Sequence, residues 1–371
     1  MPSKDRVKRG RSLGRRQLLA GAAASAALAL AGGVPRRAAA VSRPIKLTLP
    51  LLPGGTNVFA FAARNKGFWK SRGLDVEISR GFGSGPAAQA IGTGKYEFGL
   101  AGVPSGIEQA ALGTPLLSIA AIQYDAAMGI AVLEDSPIKS PADLVGRRLG
   151  ATVTSGEFPF LRAYAKRARF DLARVQVVQL ESDARQRALV EQQVDAISGL
   201  APNLIGPLAA DGVKSRFLPF ADKGLKLYGL ALMTQPKLAE REPDLCQAMV
   251  DGLLDGLVFT LADPDAALNA FYQEVKEGRV RERPAEVSLA MGMTLLTVLD
   301  AEPKRHGLGW HDHAAFMTMT DLVTKYVTPP GTERPNSDAV FTNRFTGRVK
   351  LPAAEWNAAA ERFADYARYM R

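Results

Sequence analysis

Residues 67–77 read Gly-Phe-Trp-Lys-Ser-Arg-Gly-Leu-Asp-Val-Glu, and this stretch decides the fold. It follows an apolar helical pattern over residues 58–66, and Gly67 lies where such a helix would end. Gly73 then leads into residues 74–78, which alternate apolar and polar side chains as a half-buried strand does. A helix joined by a glycine turn to a short strand is the repeating unit of α/β proteins, so we predict that fold class.

The same unit recurs on both sides of this stretch. Short apolar or alternating runs predict strands, and the longer amphipathic runs between them predict helices. The predicted strands are 45–49, 98–101, 117–124, 128–133, 148–153, 175–180, 196–198 and 228–234. Beyond residue 243 the pattern is mainly helical.

The length of the chain predicts two lobes, because a core rarely grows beyond roughly 250–300 residues before the chain divides. We place lobe 1 at residues 41–125, lobe 2 at 126–230, and a helical return to lobe 1 with a C-terminal extension at 231–371. The chain then crosses between the lobes twice, which predicts a hinge.

The first forty residues predict export from the cytoplasm. Adjacent Arg15 and Arg16 precede an apolar run over 18–34, and Ala38-Ala39-Ala40 supplies a small-residue cleavage site. This order is that of a cleaved signal peptide, and the paired arginines indicate the twin-arginine route. The alternative is a membrane anchor, although the run is short for a span of about 20 residues. We expect residues 1–40 to be a twin-arginine signal peptide and the protein to be periplasmic.

The positive charge belongs to that leader. The formal net charge is +10, but residues 1–40 hold nine Lys and Arg against one acid, and the remaining 38 basic and 36 acidic residues leave +2. A net charge so close to zero gives no reason to expect a nucleic-acid partner. Cys246 is the one cysteine, so an intramolecular disulfide is impossible, and we expect a buried core thiol.

Four turns between predicted strands and helices indicate a binding site. Residues 53–57, 81–86, 102–105 and 154–157 are rich in Gly, Ser, Thr and Asn, and ligands of open α/β sheets bind beyond the carboxyl ends of the strands. Helix starts offer free N–H groups to an anion or carbonyl, while a carboxylate favours an amine or ring N–H. The candidate ligand-binding residues are Gly55, Thr56, Asn57, Gly83, Ser84, Val103, Ser105, Tyr124, Asp125, Ser155, Gly156 and Glu157. Phe59 and Phe82 either pack in the core or join this site.

Signals for catalysis and metal binding are weak. The nucleophile-elbow, phosphate-loop, zinc-protease and dinucleotide motifs do not occur, so we expect a non-enzymatic protein without a cofactor. The three histidines lie within residues 306–313, where a zinc or nickel site is the alternative. Because His311 and His313 adjoin a predicted helix, their spacing does not put both on one face. We predict that Asp312 caps this helix and that no metal is bound.

Several stretches resemble periplasmic substrate-binding proteins of ABC importers for sulfonates, nitrate, taurine and thiamine pyrimidines. Residues 67–77 resemble the family's G-F-[FW]-K-x-x-G-L-D-V-E segment, and residues 135–148, Asp-Ser-Pro-Ile-Lys-Ser-Pro-Ala-Asp-Leu-Val-Gly-Arg-Arg, resemble its DSPIKSPADLKGK run. Residues 193–196 are similar to G-x-V-D-A, with glutamine where glycine is usual, and residues 341–345 to FTN-F. The likeness spans roughly residues 45 to 347.

This resemblance implies a type II periplasmic-binding fold, with two α/β lobes, a hinge and a ligand cleft between them. It implies a small-molecule ligand, of the sulfonate, nitrate, pyrimidine or aromatic-acid class, delivered to an ABC permease in the inner membrane; we expect a monomer. Two alternatives stay open. One is an enzyme of thiamine-pyrimidine precursor chemistry, although residues 154–158 lack the cysteines of the related synthases. The other is a ligand-sensing ectodomain.

Overall fold

The computed structural model describes residues 42–276 and 278–371, and within them the chain forms two five-stranded sheets flanked by helices. The predicted signal peptide, residues 1–40, lies outside the described residues. The predicted α/β fold class is confirmed.

The sheet of lobe 1 has the order β2-β1-β3-β10-β4. Its strands are β1 Arg43–Thr48, β2 Leu74–Ser79, β3 Phe98–Gly102, β4 Leu117–Ala121 and β10 Leu230–Thr234. Strands β1, β2 and β3 are parallel, and β10 pairs antiparallel with both β3 and β4. The carboxyl ends of β1, β2 and β3 therefore meet at one edge.

The sheet of lobe 2 repeats this plan in the order β7-β6-β8-β5-β9. Its strands are β5 Met128–Leu133, β6 Arg148–Ala151, β7 Gln176–Gln179, β8 Ala196–Leu200 and β9 Ser215–Pro219. Strands β6, β7 and β8 are parallel, while β5 is antiparallel to β8 and β9. Strand β9 was not predicted, because a half-exposed edge strand that ends in proline lacks a clear alternating pattern.

Helices fill the connections and most of the chain after β10. They are α1 Val58–Asn65, α2 Ser84–Gly92, α3 Val103–Ala111, α4 Leu161–Ala168, α5 Arg185–Val190, α6 Ala201–Ala210, α7 Pro236–Arg241, α8 Pro243–Ala262, α9 Pro264–Glu274, α10 Gly278–Arg281, α11 Pro284–Val298, α12 Ala301–His306, α13 His313–Tyr326 and α14 Ala353–Phe363. Short 3₁₀ turns include Gly55–Asn57 and Ala364–Met370.

Helix α8 is the centre of the lobe 1 core. Its 20 residues are long and apolar enough to cross a membrane by length and composition, but 61% of the apolar window is buried inside the fold. The indole of Trp69 donates to the Met249 carbonyl at 3.0 Å and occupies the place of a side chain at Gly252. Cys246 is buried on the same helix, and desolvation raises the pKa of its thiol to about 12. The predicted core thiol is confirmed.

Two crossing segments join the lobes and are hydrogen-bonded to each other. The Ala126 N–H donates to the Leu227 carbonyl at 2.7 Å, and the Gly229 N–H donates to the Gln123 carbonyl at 2.9 Å. At the end of the first segment, Ala127 has φ +50°, a left-handed conformation that a side chain disfavours. The crossings thus form a paired, two-stranded hinge.

Helix α11 lies between the lobes rather than within either one. It packs against α6 of lobe 2 and against the Gly55–Asn57 turn of lobe 1. Its carboxyl end is fixed to the hinge, because the Tyr124 N–H donates to the Thr297 carbonyl at 2.9 Å. One side of the interlobe space is therefore bordered by a helix from the C-terminal third of the chain.

Gln192 occupies a conformation that suits glycine. Counted back from Val194, the glycine of the G-x-V-D-A pattern falls on Gln192, whose φ is +56°. A side chain there crowds the following carbonyl, which costs about 1–2 kcal/mol. This explains structurally why that family pattern carries glycine.

We predict that Gln192→Gly raises the free energy of unfolding by about 0.5–1 kcal/mol, because the relieved strain exceeds the added entropy of the unfolded chain. Urea denaturation measures this. Gln193→Gly is the matched control: Gln193 is not among the described residues with positive φ, so the same change there should lower stability. A loss of stability in both variants would contradict the assignment.

His311 is buried in a hydrogen-bonded row with Ser118 and Asn343. Its Nε2 lies 2.8 Å from the Ser118 hydroxyl, and its Nδ1 lies 3.0 Å from the Asn343 side-chain oxygen. Asn343 also bonds both backbone groups of His311. Both ring nitrogens thus have partners within the fold. Asp312 accepts from the Ala315 N–H at 2.7 Å, which confirms the predicted helix cap.

Burial lowers the pKa of His311 from 6.5 to about 4. The unfolded chain therefore binds a proton at a pH where the folded protein does not, and stability falls as pH decreases from about 6.5 to 4. We predict that this group alone removes roughly 3 kcal/mol across that window. Urea denaturation at several pH values measures this: the free energy of unfolding should fall less steeply with decreasing pH in His311→Gln than in the parent. An equal pH dependence in the two proteins would contradict the attribution of this loss to His311.

Candidate functional site

The first half of the predicted site lies at the carboxyl edge of the lobe 1 sheet. The Gly83 N–H donates to the Pro50 carbonyl at 2.6 Å, which joins the turn after β2 to the turn after β1. The Ser84 hydroxyl accepts from the Gly102 N–H at 3.2 Å, which joins it to the turn after β3. Gly83 has φ +127°, so a side chain there would be strained. Three of the predicted turns therefore form one continuous shelf.

The Gly55–Asn57 turn is the most enclosed part of this shelf. A side chain at Gly55 would overlap helix α11 at Val287 and Met291. Asn57 is buried, and its side-chain oxygen accepts from the Gly54 N–H at 3.0 Å, so it closes its own turn. Thr56 is half-buried between them.

The start of helix α3 is the third part of the shelf. Val103 is buried, and its N–H donates to the Gly229 carbonyl at 2.8 Å, so this helix start is fixed to the hinge. Ser105 is half-buried in the first turn of the helix. Pro104 between them has no N–H to leave unpaired.

The second half of the site lies at the matching edge of lobe 2. The turn after β6 carries Ser155, Gly156 and Glu157, and the Ser155 hydroxyl donates to Glu157 Oε1 at 2.5 Å. Gly156 is exposed with no atom near the place of a Cβ, whereas Glu157 is 0% exposed. The turn thus presents a glycine to solvent and holds a carboxylate behind it.

Sequence analysis missed two partners of this carboxylate. The Ser198 hydroxyl donates to Glu157 Oε1 at 3.1 Å, and Arg185 Nη1 lies 3.8 Å from the same oxygen. Arg185 is 5% exposed, and desolvation lowers the pKa of its guanidinium, opposed by Glu157. Arg185 begins helix α5, beyond the end of β7, and Ser198 lies within β8 of the same sheet. The edge rule that selected the turn at 154–157 points to the segment after β7 that carries Arg185, but it does not select Ser198 inside a strand.

Glu157 Oε2 is buried and has no hydrogen-bond partner among the described residues. All three contacts just described go to Oε1, so the second oxygen keeps its full accepting capacity. A buried acceptor without a partner costs about 1–3 kcal/mol, and more when it is charged. Glu157 Oε2 is thus a buried acceptor that no described residue uses at this edge of lobe 2.

Tyr124 and Asp125 lie at the hinge, in the crossing from the end of β4 to the start of β5. Tyr124 is buried, packs against Tyr228 at a ring distance of 5.0 Å, and donates to the Trp310 carbonyl at 2.8 Å. Asp125 accepts from the Ala127 N–H at 2.7 Å, and burial raises the pKa of its carboxyl. In this conformation both side chains support the hinge. The sequence indicated these two residues only because they lie at the predicted crossing between the lobes. That position is equally compatible with a role in the hinge and with contact to a ligand.

The two aromatic residues of the lobe 1 turns differ. Phe59 is 1% exposed and belongs to the core. Phe82 is 76% exposed on the turn after β2, with the Arg80 guanidinium 4.7 Å from its ring centre. The alternative of core packing is therefore wrong for Phe82.

The sequence and the fold were compared with known proteins. The sequence profile of the NMT1/THI5-like family matches residues 56–267, more than half of the chain. A putative binding protein of Brucella abortus is 28% identical over 226 residues, which are 58% of this chain and 66% of that protein. The formylaminopyrimidine-binding protein of Halalkalibacterium halodurans is 24% identical over 227 residues, 61% of this chain and 68% of that protein.

The fold is similar to that of solved periplasmic binding proteins. The aliphatic sulphonate binding protein of Escherichia coli superposes with a TM-score of 0.63 and 16% identity, covering 82% of this chain and 99% of that one. This similarity confirms the predicted two-lobed fold of the periplasmic-binding type. The profile match, which includes both crossings and the edge turns of both lobes from Thr56 onward, places the chain in the NMT1/THI5-like family.

Proposed function

We propose that the protein is the extracytoplasmic solute-binding component of an ABC importer. It would capture a small organic ligand between the shelf of lobe 1 and the carboxylate turn of lobe 2 and deliver it to a permease in the inner membrane. Membership of the NMT1/THI5-like family and the binding proteins among its relatives support this function.

The unpartnered Oε2 of Glu157 is the observation that carries the proposal. Oε1 is held by Ser155 and Ser198, so the orientation of the carboxylate is fixed. This acceptor is already desolvated and held in place. A donor group of the ligand can therefore form a strong hydrogen bond with it at little further cost.

The shelf of lobe 1 and the carboxylate turn of lobe 2 suggest which chemical groups the ligand carries at its two ends. Lobe 1 contributes turns with small residues at the starts of helices α2 and α3, which favour a carbonyl, ring nitrogen or monoanion. Lobe 2 contributes an acceptor, which favours an amine or ring N–H. A heterocycle with an N–H donor on one side and an acceptor on the other meets both demands. Formylaminopyrimidine, named for the Halalkalibacterium relative, is a ligand of this kind.

The proposed ligand-binding residues are Tyr124 and Asp125 at the hinge and, at the two edges, Gly55, Thr56, Asn57, Gly83, Ser84, Val103, Ser105, Ser155, Gly156 and Glu157. We propose export by the twin-arginine route to the periplasm, on the pattern of residues 1–40. A monomer without cofactor is sufficient for this function.

A non-enzymatic function is supported by the two relatives described above, both of which are binding proteins. The thiol of Cys246 lies in the core of lobe 1 on helix α8, remote in the fold from the edge turns, and its pKa of about 12 keeps it protonated. Formation of a product from a pyrimidine by the purified protein would favour the enzyme alternative instead.

We predict that one class within a panel of pyrimidines, sulfonates, nitrate and aromatic acids raises the melting temperature of the mature protein. At 100 times the dissociation constant, a ligand that binds only the folded state adds about 2.7 kcal/mol, an increase of several degrees. Differential scanning fluorimetry measures it, and calorimetry gives the affinity. A panel without any shift at millimolar concentration would count against the proposal.

We predict that Glu157→Gln weakens binding of an N–H donor ligand by about 10- to 100-fold, the value of one charge-assisted hydrogen bond. The serine hydroxyls hold the side-chain oxygen at the Oε1 position, so the new NH₂ would take the place of Oε2 and oppose the donor. Isothermal titration calorimetry with the ligand identified in the panel measures this.

Ser198→Ala is the matched control for that variant. It removes one bond to Oε1 and leaves Oε2 unchanged, so we expect a small loss of stability and an affinity within about threefold of the parent. Glu157→Gln also leaves Arg185 without its counter-charge, which we expect to lower stability. Lower stability with unchanged affinity would mean that Glu157 has only a structural role.

A further inference from the structure

The last eight residues, Ala364–Arg371, leave lobe 1 and reach lobe 2; we call them the C-terminal strap. They follow helix α14, which is fixed to lobe 1: Trp356 and Phe363 are buried in the core around α8. The Arg362 guanidinium also donates to the carbonyls of Leu261 and Ala262 at the end of α8. The strap therefore begins at a fixed point on lobe 1.

The far end of the strap is joined to the sheet of lobe 2. The Phe217 N–H of β9 donates to the Arg371 carbonyl at 3.1 Å. Strand β9 is at the edge of its sheet, so this bond uses a backbone group that the sheet leaves free. Tyr366, Tyr369 and Met370 pack against the apolar cluster of lobe 2 that contains Phe217.

Between these ends the strap is seated on helix α11. A Cβ at Gly292 would overlap the Tyr366 ring, so the absence of a side chain at Gly292 provides the seat. Helix α11 itself contacts both lobes. The strap thus closes a chain of contacts that runs from lobe 1 through α11 to β9.

An open cavity of about 240 Å³ separates the strap from the hinge. Asp125 and Lys226 of the two crossings line one side, and Met370 and Arg371 of the strap line the other. Side chains do not fill the space beside the hinge, although Lys226 pairs with Asp300 across part of it. On the far side of the cavity the strap spans the two lobes.

We propose that the C-terminal strap is a third connection between the lobes, and that it limits how far the cleft opens. Movement of β9 away from α14 would break the Phe217–Arg371 bond and remove Tyr366 from its seat on Gly292. The strap thereby raises the population of the partly closed, binding-competent arrangement. Apparent affinity depends on that population, so the strap acts on binding without touching ligand.

The test measures the distance between the lobes in the absence of ligand. Spin labels on Arg80→Cys and Thr154→Cys report from exposed positions on the two edge shelves, and pulsed dipolar spectroscopy gives the distance distribution. Cys246 is buried and is replaced by alanine as a precaution. The variants are a chain that ends at Phe363 and, within the full chain, Tyr366→Ala. We expect both to lengthen and broaden the distribution.

Arg368→Ala is the matched control, because Arg368 is an exposed strap residue whose guanidinium bonds to and stacks on its neighbour Tyr369. Its distance distribution should equal that of the parent. Circular dichroism and melting temperature show whether each variant is folded, and Tyr366→Ala keeps the test valid if the truncated chain does not fold. An unchanged or shorter distance in folded Tyr366→Ala would overturn the proposal.

A second measurement rests on the proposed binding function. With a ligand from the thermal panel, Tyr366→Ala should raise the dissociation constant by about 3- to 10-fold, whereas Arg368→Ala should not. The distance measurement needs no ligand. If the strap variants lengthen the distance between the lobes and no ligand binds, the proposed role of the strap is supported and the binding function fails. If the distances are unchanged and ligand binds normally, the role of the strap fails and the binding function is supported.

Discussion

Residues 123–127 and 227–230 run side by side between the lobes, and the hydrogen bonds between them are the constraint on which the structure depends. Gln123 strengthens the pairing, because its side-chain oxygen accepts from the Leu230 N–H at 3.1 Å and its amide donates to Thr297 at 3.2 Å. The second crossing continues directly into β10, which lies between β3 and β4 in the lobe 1 sheet. A rotation of lobe 2 is therefore concentrated in these few residues, including Ala127 with its left-handed backbone.

The two lobe edges that this hinge joins differ in chemistry. The lobe 1 shelf is made of backbone turns fixed to one another through Gly83 and Ser84, and its glycines allow close approach to the backbone. The lobe 2 shelf is built around a buried carboxylate whose charge is partly balanced by Arg185 at 3.8 Å. In the proposed function, a ligand with an N–H donor at one end is oriented as well as held, because the reversed ligand would set its acceptor against the Glu157 carboxylate.

The C-terminal third of the chain has a role beyond completing lobe 1. Helix α11 and the C-terminal strap contact both lobes, and the strap uses the free edge of β9. Hinge, helix and strap together leave a cavity rather than a packed core behind the crossings. This arrangement combines a mobile hinge with a defined limit, which a two-segment hinge alone does not provide.

The sequence by itself determined the α/β class and most strand positions, and it indicated the edge at which we propose a site. These are local properties: alternation marks β1 and β2, glycine marks the turns, and Asp312 caps its helix through a neighbour three residues away. It also indicated Ser155 and Glu157, because polar residues that follow directly after a predicted strand can be recognised from the sequence alone. Tertiary structure alone decided that Tyr124 supports the hinge, that Arg185 and Ser198 meet Glu157, and that Arg371 pairs with Phe217. Those contacts join residues 28 to 186 positions apart, and no local pattern specifies which distant groups a fold brings together.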